Sequence, residues 1–224
     1  MLVGKGRHRL TPSDGLLNVM KRLLAVLICS CLAAFSAHAA TLDLDGSGWS
    51  ILDSRNCPES PSTVAVNGKP AWRLEVDGPC EPHYIVRDAD DAVRTAIKGA
   101  KASLVVKMHI ANAHLRSVQD GGTNTYAMVM LQRKGDDLSG KDESVHYRQW
   151  ASRNRIKLVN GTHTVTIPLD RTIWTGVGGK NASESAWNDL LANLDKIGVA
   201  LGGESEGHGV KGSAGLYMLE FKVD

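Results

Sequence analysis

Four side chains in two predicted strands are of the types that bind polar ligands. Apolar and polar residues alternate at positions 103–111, which places Lys107 and His109 on one face of a strand. The same alternation at positions 145–150 places Arg148 and Trp150 together. A flat aromatic ring stacks on the apolar face of a sugar, while cations donate hydrogen bonds to its hydroxyls. If the two strands are sheet neighbours, the four residues form a glycan-binding face. The alternative is a solvated outer face with Trp150 packed at its edge.

The glycine-rich segment at positions 201–210 carries a second group of reactive side chains. Glu204, Glu206 and His208 lie among its glycines, and such a loop can ligate a metal or perform acid–base chemistry. However, the glycines preorganise these side chains poorly, and no further ligand follows at a diagnostic spacing. We therefore favour a long turn, in which His208 either contacts a ligand or folds inward and bonds to the backbone.

Motifs for metal binding and catalysis are weak in this sequence. Asp43, Asp45 and Ser47 resemble the first half of a calcium loop, but Ser54 stands where an EF-hand requires a bidentate acid. The pattern is compatible with a structural calcium ion, and the sequence predicts no other cofactor. Carboxylate pairs that cleave glycosides come from different strands of a sandwich, so spacing alone assigns no catalytic residue.

Positions 20–39 have the three parts of a secretory signal peptide. Two basic residues precede an apolar run at 23–35, and positions 37–39 (Ala-His-Ala) match the small-x-small cleavage pattern. The apolar run has 13 residues, fewer than the roughly 20 that a helix needs to cross a bilayer. We therefore predict that this segment is removed, which leaves no integral membrane segment in the mature chain.

This pattern also predicts where translation starts and where the mature protein begins. Positions 1–19 are polar, and their apolar residues follow no regular period. We therefore predict that translation begins at Met20 and that positions 1–19 come from an incorrectly assigned upstream start. The alternative is that these positions have a structural role. Cys31 loosely completes a lipoprotein cleavage box, and lipid anchoring is therefore a second alternative. The main prediction is a secreted or periplasmic protein that begins at Ala40.

The charge of the mature chain excludes some partners. Positions 1–39 hold five of the 26 basic residues and one of the 24 acidic residues, which leaves 21 against 23, a net charge of −2. Nucleic acids and anionic membrane surfaces need a concentrated basic patch. We therefore predict no nucleic-acid partner. The remaining 185 residues are enough for a single domain with a substantial core.

The mature chain contains one pair of cysteines. Cys57 and Cys80 remain once the leader is removed, and in an oxidising compartment a lone pair is most simply a disulfide. Each is flanked by a proline and a glutamate, which suggests that the bridge joins two loops. It would close a loop of 24 residues and stabilise the fold by about 3 kcal/mol in the chain-entropy model.

Short β-prone runs separated by turn signals predict an all-β fold, a β-sandwich or jelly roll with one short helix. The helix is predicted at 183–194, where Ser183 can cap an apolar stripe, and a further helical turn is predicted at 90–97. Asn160-Gly161 is of the hairpin-turn type and predicts that the strands on either side are paired. The predicted strands are 41–44, 49–52, 72–76, 84–87, 103–111, 126–133, 145–150, 155–158, 162–169, 197–201 and 216–223.

The second half of the chain resembles a group of uncharacterised secreted bacterial proteins with a galactose-binding-like jelly roll, similar in outline to non-catalytic carbohydrate-binding modules. The resemblance covers about half of the mature chain and rests on pattern, without a diagnostic motif. It implies a fold more than a function, since jelly rolls support many activities, and it carries over no catalytic residue. The segments that carry it are 126–133, 145–150, 164–170, Trp174, 197–203 and 207–210.

These observations predict a single secreted or periplasmic β-sandwich, residues 40–224, that binds a glycan or another small polar ligand without catalysis. The residues assigned to the ligand are Lys107, His109, Arg148, Trp150 and His208. The first alternative is a hydrolase or lyase acting on polysaccharides, with His109, Glu204, Glu206 or His208 in its site. The second alternative is a structural or adhesion protein that binds no small ligand.

Overall fold

Two antiparallel sheets and two short helices make up the computed structural model, which describes residues 39–98, 102–138, 147–204 and 208–224. The described residues belong to one compact unit. Almost all of the predicted leader lies outside them, so its removal stays a prediction. No helix of the described ranges is long and apolar enough to span a membrane.

One sheet has six strands. A short strand, β1, pairs with β13 off the main path, and the other five follow the order β10-β6-β13-β4-β3. Their bounds are β1 Ala40–Thr41, β3 Ser62–Val66, β4 Lys69–Val76, β6 Ser103–Ser117, β10 Gly161–Pro168 and β13 Val210–Val223.

The other sheet has seven strands, in the order β11-β8-β7-β12-β5-β2, with β9 paired to β7. Its strands are mostly short, and β12 lies at its centre between β7 and β5. Their bounds are β2 Ser50–Leu52, β5 Tyr84–Asp88, β7 Tyr126–Arg133, β8 Arg148–Ala151, β9 Ile156–Lys157, β11 Trp174–Gly176 and β12 Leu194–Gly202.

The main hydrophobic core lies between the two sheets. Every second residue of a strand points inward, so Leu104, Val106, Met108 and Ile110 of β6 are all fully buried. The inward residues of β7 and β12 belong to the same core cluster, which also holds four of the five tryptophans, Trp49, Trp72, Trp174 and Trp187. Trp150 is the one that lies outside it.

Two capped helices cover part of the sandwich. The first, α1 (Asp91–Ile97), begins after Asp90, whose carboxylate accepts a hydrogen bond from the Val93 N–H at 2.9 Å. The second, α2 (Glu184–Ala192), begins after Ser183, whose hydroxyl accepts from the Ala186 N–H. Both caps satisfy N–H groups that have no partner inside a helix. The β-sandwich prediction is therefore confirmed, with two short helices where one was expected.

The predicted hairpin at Asn160-Gly161 is wrong. The strand before it, β9, belongs to the seven-stranded sheet, whereas β10 after it belongs to the six-stranded sheet. The chain crosses between sheets here, and the Asn160 side chain accepts a hydrogen bond from the Ala113 N–H at 2.7 Å. A two-residue hairpin loop instead lies at Asn67 and Gly68, both with positive φ (53° and 73°), and joins β3 to β4. This is the loop geometry that favours Asn-Gly.

The predicted disulfide between Cys57 and Cys80 is confirmed. It joins the segment that follows β2 to the segment that precedes β5. Next to it, Arg55 and Glu81 exchange two backbone hydrogen bonds, of 3.2 and 2.9 Å. The bridge therefore fastens two loops at one end of the seven-stranded sheet, as their flanking prolines suggested.

Candidate functional site

The residues assigned to a ligand from the sequence divide between the two sheets. Lys107 and His109 lie on β6, in the six-stranded sheet, whereas Arg148 and Trp150 lie on β8, in the seven-stranded sheet. The expectation that the two strands are neighbours is therefore wrong, because alternation predicts a face but not a partner strand. His208 lies with the second group, through an isolated bridge to Gly202 at the end of β12.

Lys107 and His109 belong to a polar outer face of the six-stranded sheet. His109 is in register with Thr162 on one side and Tyr217 on the other. Its Nδ1 lies 3.0 Å from the Thr162 hydroxyl, and its ring centroid lies 5.7 Å from that of Tyr217. The Arg73 guanidinium lies 5.5 Å from the same tyrosine ring. The tyrosine ring thus already has two polar partners and is poorly placed to stack on a ligand.

The outer face of the seven-stranded sheet is mostly apolar. One row across the sheet joins Trp150, Met130, Gly198 and Val86 in direct register. Tyr84 follows in the next row, opposite Ala200. We name as the outer cluster the buried residues on this face that pack apart from the main core, together with the two partly buried residues that pack against them: Tyr84, Val86, Met130, Ala200, Leu52 and Leu138.

The middle of this face has a flat floor. The outward positions of the central strand β12 are Gly198, Ala200 and Gly202, and they lie between larger side chains of β5 and β7. A Cβ at position 198 would lie 2.1 Å from the Ile85 carbonyl oxygen, so only glycine fits there. These small residues are themselves buried, so an extended molecule reaches the β12 backbone only where the side chains that cover it move aside.

Polar side chains border the outer cluster on the β8 side. The Arg148 Nε lies 2.9 Å from a carboxylate oxygen of Asp136, and both side chains are almost fully buried. The Gln132 Nε2 donates to the same carboxylate at 3.0 Å, while its own Oε1 is buried and has no hydrogen-bond partner among the described residues. Burial raises the pKa of Asp136, and the Arg148 charge opposes that shift. A buried acceptor is costly to leave unsatisfied and requires a bond from water or from another group.

A histidine pair forms the opposite border. The His83 Nδ1 lies 2.8 Å from the Asp53 carboxylate, and the backbone N–H of His208 donates to the His83 Nε2 at 2.8 Å. Because Nε2 accepts, the ring proton must be on Nδ1, so His83 is neutral. Burial lowers the pKa of His83 to about 4, although Asp53 opposes that shift. The ring is thus a fixed support for His208 and has no nitrogen left for a ligand.

A pocket of about 310 Å³ opens beside this pair. Asp53 and His208 both have left-handed backbone conformations there, with φ of 49° and 72°, and strain of this kind tends to occur at functional sites. The His83 ring stacks on Tyr84 at 3.7 Å between centroids, which connects the pocket to the outer cluster. The lining residues are Asp53, Arg55, Glu81, His83, Val118, Gln119 and His208.

The outer cluster is covered in this structure. Trp150 and Tyr84 are each 4 % exposed, and the described residues include Asp136 and Leu138 among those that contact this face. The pocket is more accessible, since the Asp53 side chain is 55 % exposed. A ligand can therefore enter the pocket directly, whereas it must displace side chains to reach Trp150.

The other residues considered from the sequence have local roles or remain untested. The Glu204 carboxylate accepts a hydrogen bond from the Asn124 amide at 3.0 Å, and Glu206 lies outside the described residues. Asp45 caps a 3₁₀ turn and accepts hydrogen bonds from Ser47 and Thr63, so its carboxylate already has partners. Within the described ranges no three His, Cys, Asp or Glu side chains are grouped to hold a metal ion. A calcium ion stays unassigned.

Sequence reasoning missed most of this site. Tyr84, Gln132 and His83 each lie in or beside a correctly predicted strand, and the alternation of positions 126–133 could have placed Gln132 with the polar face. The contact between His83 and His208 joins residues 125 positions apart, and no local pattern predicts it.

Comparisons with known proteins show no family for this chain. No family model and no curated protein matches the chain. Among solved structures the chain is similar to a xylan-binding module, CBM15, with a TM-score of 0.37 and 12% identity. The match covers 83% of this chain and 94% of that one. A likeness at this score carries neither a role nor a residue from that protein to this chain.

Proposed function

We propose that this protein binds a glycan, without catalysis, on the outer face of its seven-stranded sheet. The observation that carries the proposal is the outer cluster. The face of an antiparallel sheet that points away from the core is ordinarily polar, yet here it holds aromatic and apolar side chains in register. An exposed apolar patch often marks a binding site, and the outer cluster becomes such a patch when the side chains that cover it are displaced.

The chemistry of this face suits a sugar. Tyr84 and Trp150 offer aromatic rings for the apolar faces of pyranose units. Arg148 and Gln132 bring donors and a buried, unpartnered acceptor for hydroxyl groups. Once the cover of the outer cluster is displaced, the small residues of β12 let an extended chain lie between them. Lys107 and His109 are not part of this proposal, because they lie on the other sheet.

Binding requires that the cover of the outer cluster is displaced. A glycan that replaces Leu138 against the outer cluster would exchange one apolar contact for another. A hydroxyl group near Gln132 would satisfy its Oε1, which accepts no hydrogen bond from the part of the chain that the structure describes. Both exchanges favour a ligand that has apolar faces and hydroxyls together.

The compartment is part of the proposal. The leader pattern at positions 20–39 and the disulfide between Cys57 and Cys80 support a secreted or periplasmic protein. Disulfides persist in oxidising compartments and are rare in the cytosol. A location outside the cytoplasm is also where a protein meets polysaccharides.

Trp150 provides a direct test, because the other four tryptophans lie in the main core. The exported protein is titrated with a panel of soluble oligosaccharides, followed by tryptophan fluorescence and calorimetry. We expect one glycan to change the fluorescence, and we expect Trp150→Phe to abolish that change. His109→Ala, on the other sheet, is the matched control and should bind as the parent does. Fluorescence changes that persist in Trp150→Phe, or release of new sugar ends during the titration, would contradict the proposal.

A further inference from the structure

The charge of the pocket beside His83 limits which ligands can bind there. Its lining includes two acids, Asp53 and Glu81, and one permanent cation, Arg55. Arg55 lies 3.9 Å from the Glu81 carboxylate, so these two charges offset each other. Asp53 makes no ion pair with a lysine or arginine anywhere in the described ranges; its partner is His83.

His83 does not neutralise Asp53. A protonated imidazole would need both nitrogens to donate, yet Nε2 accepts a hydrogen bond from the backbone N–H of His208. Burial of the ring, which is 7 % exposed, also disfavours its charged form. The nearby Arg148 charge opposes protonation as well and is itself paired with Asp136. The carboxylate of Asp53 therefore stays an unmatched negative charge at the pocket wall.

We infer that this pocket receives the ammonium group of an amino sugar at one end of the bound glycan. The inference rests on the proposed function and adds a ligand class to it. The pocket lies at the border of the outer cluster, with His83 stacked on Tyr84, so a chain that lies along the sheet can end there. An ammonium group donates three hydrogen bonds, which Asp53 and Glu81 can accept. A carboxylated sugar would instead meet the unmatched charge of Asp53, because Arg55 is already paired with Glu81.

The test compares ligands that differ in one charge. Glucosamine and N-acetylglucosamine, and short oligomers of each, are titrated by calorimetry near neutral pH. We expect the amino form to bind about fivefold more tightly than the acetylated form, the upper end of what one exposed ion pair contributes. If the oligomers show the preference for the amino form and the monomers do not bind, the ligand is the end of a glycan chain. If the monomers show the same preference, the pocket also binds a free amino sugar.

Asp53→Asn isolates the charge. The asparagine oxygen can still accept from the His83 Nδ1–H, so the support of His208 is retained while the negative charge is removed. We expect the preference for the amino form to fall to within about twofold. Asp77→Asn removes the same charge from an exposed turn outside the pocket and should keep the preference. Thermal unfolding of each variant checks that it is folded.

The outcomes separate this inference from the proposed function. If the parent binds neutral glycans but shows no preference for amino sugars, the inference is wrong and the proposed function stands. If no glycan of any class binds, both are wrong. If the preference survives in Asp53→Asn, the ammonium group binds elsewhere and the assignment to this pocket is overturned.

Discussion

The backbone N–H of His208 donates a hydrogen bond to Nε2 of His83 at 2.8 Å, across 125 positions of sequence. This contact determines the protonation state of the His83 ring, because Nδ1 must then carry the proton that bonds to Asp53. It also connects the strained end of the glycine-rich loop to the border of the seven-stranded sheet. The pocket and the outer cluster are therefore parts of one surface.

The stability of the protein should decrease in mild acid because of His83. Folding lowers the pKa of His83 to about 4 from an ordinary value near 6.5. Between these values the unfolded chain binds more protons than the folded chain, so the free energy of unfolding falls as the pH falls through this range. We expect a loss of about 3 kcal/mol. Urea denaturation at several pH values measures it, and His83→Gln should flatten the profile. An equally steep profile in His83→Gln would assign the effect to another group.

Reduction of the disulfide should destabilise the fold and loosen the pocket. The bridge joins Cys57 to Cys80 beside the paired backbones of Arg55 and Glu81. We expect reduction to lower the free energy of unfolding by about 2–4 kcal/mol. Denaturant titration of the oxidised and reduced protein measures this difference. The Cys57→Ser, Cys80→Ser double variant, which cannot form the bridge, is the control and should unfold like the reduced protein. Thiol titration of denatured, unreduced protein should find no free thiol, and two free thiols would refute the bridge.

Gly198 should not tolerate a side chain. A Cβ there would lie 2.1 Å from the Ile85 carbonyl oxygen and 2.7 Å from the Val86 Cα, both in the backbone of β5. We expect Gly198→Ala to cost about 1–3 kcal/mol through displacement of β5. Gly48→Ala is the control, because nothing lies within 4 Å of its Cβ position, and it should change stability by less than about 0.5 kcal/mol. Equal effects of the two substitutions would mean that β5 and β12 separate easily.

Processing at the predicted signal peptide is tested by intact mass. We expect the exported protein to begin at Ala40 and to carry no lipid. N-terminal sequencing of the same sample gives an independent check. A mature chain that begins at Cys31 with an acyl group, or one that retains positions 1–39, would overturn this prediction.

Local patterns predicted the faces of strands better than their partners. Alternation correctly placed Lys107 with His109 and Arg148 with Trp150, because side chains alternate along any strand. It could not show that β6 and β8 belong to different sheets, since pairing is decided by long-range packing. For the same reason Asn160-Gly161 suggested a hairpin where the chain crosses between sheets.

The sequence patterns did not predict two of the strands or most of the residues of the site. The edge strand β3 (Ser62–Val66) has small and partly exposed side chains, so it lacks the alternation that marks a half-buried strand, and β11 has only three residues. The position of Tyr217 on the outer face of the six-stranded sheet could have been predicted, because it lies between the buried Leu216 and Met218. The support of His208 by His83 depends on the folded chain alone.

Amide chemical-shift mapping tests the central claim most directly. The isotope-labelled exported protein is titrated with the glycan that binds best in the panel, and shifts are assigned along both sheets. We predict that the largest changes occur at Gly198, Ala200 and Gly202 on the floor of β12, and at His208 beside the pocket. Changes centred on Lys107 and His109 of the six-stranded sheet, or no localised changes with a glycan that binds, would contradict the account.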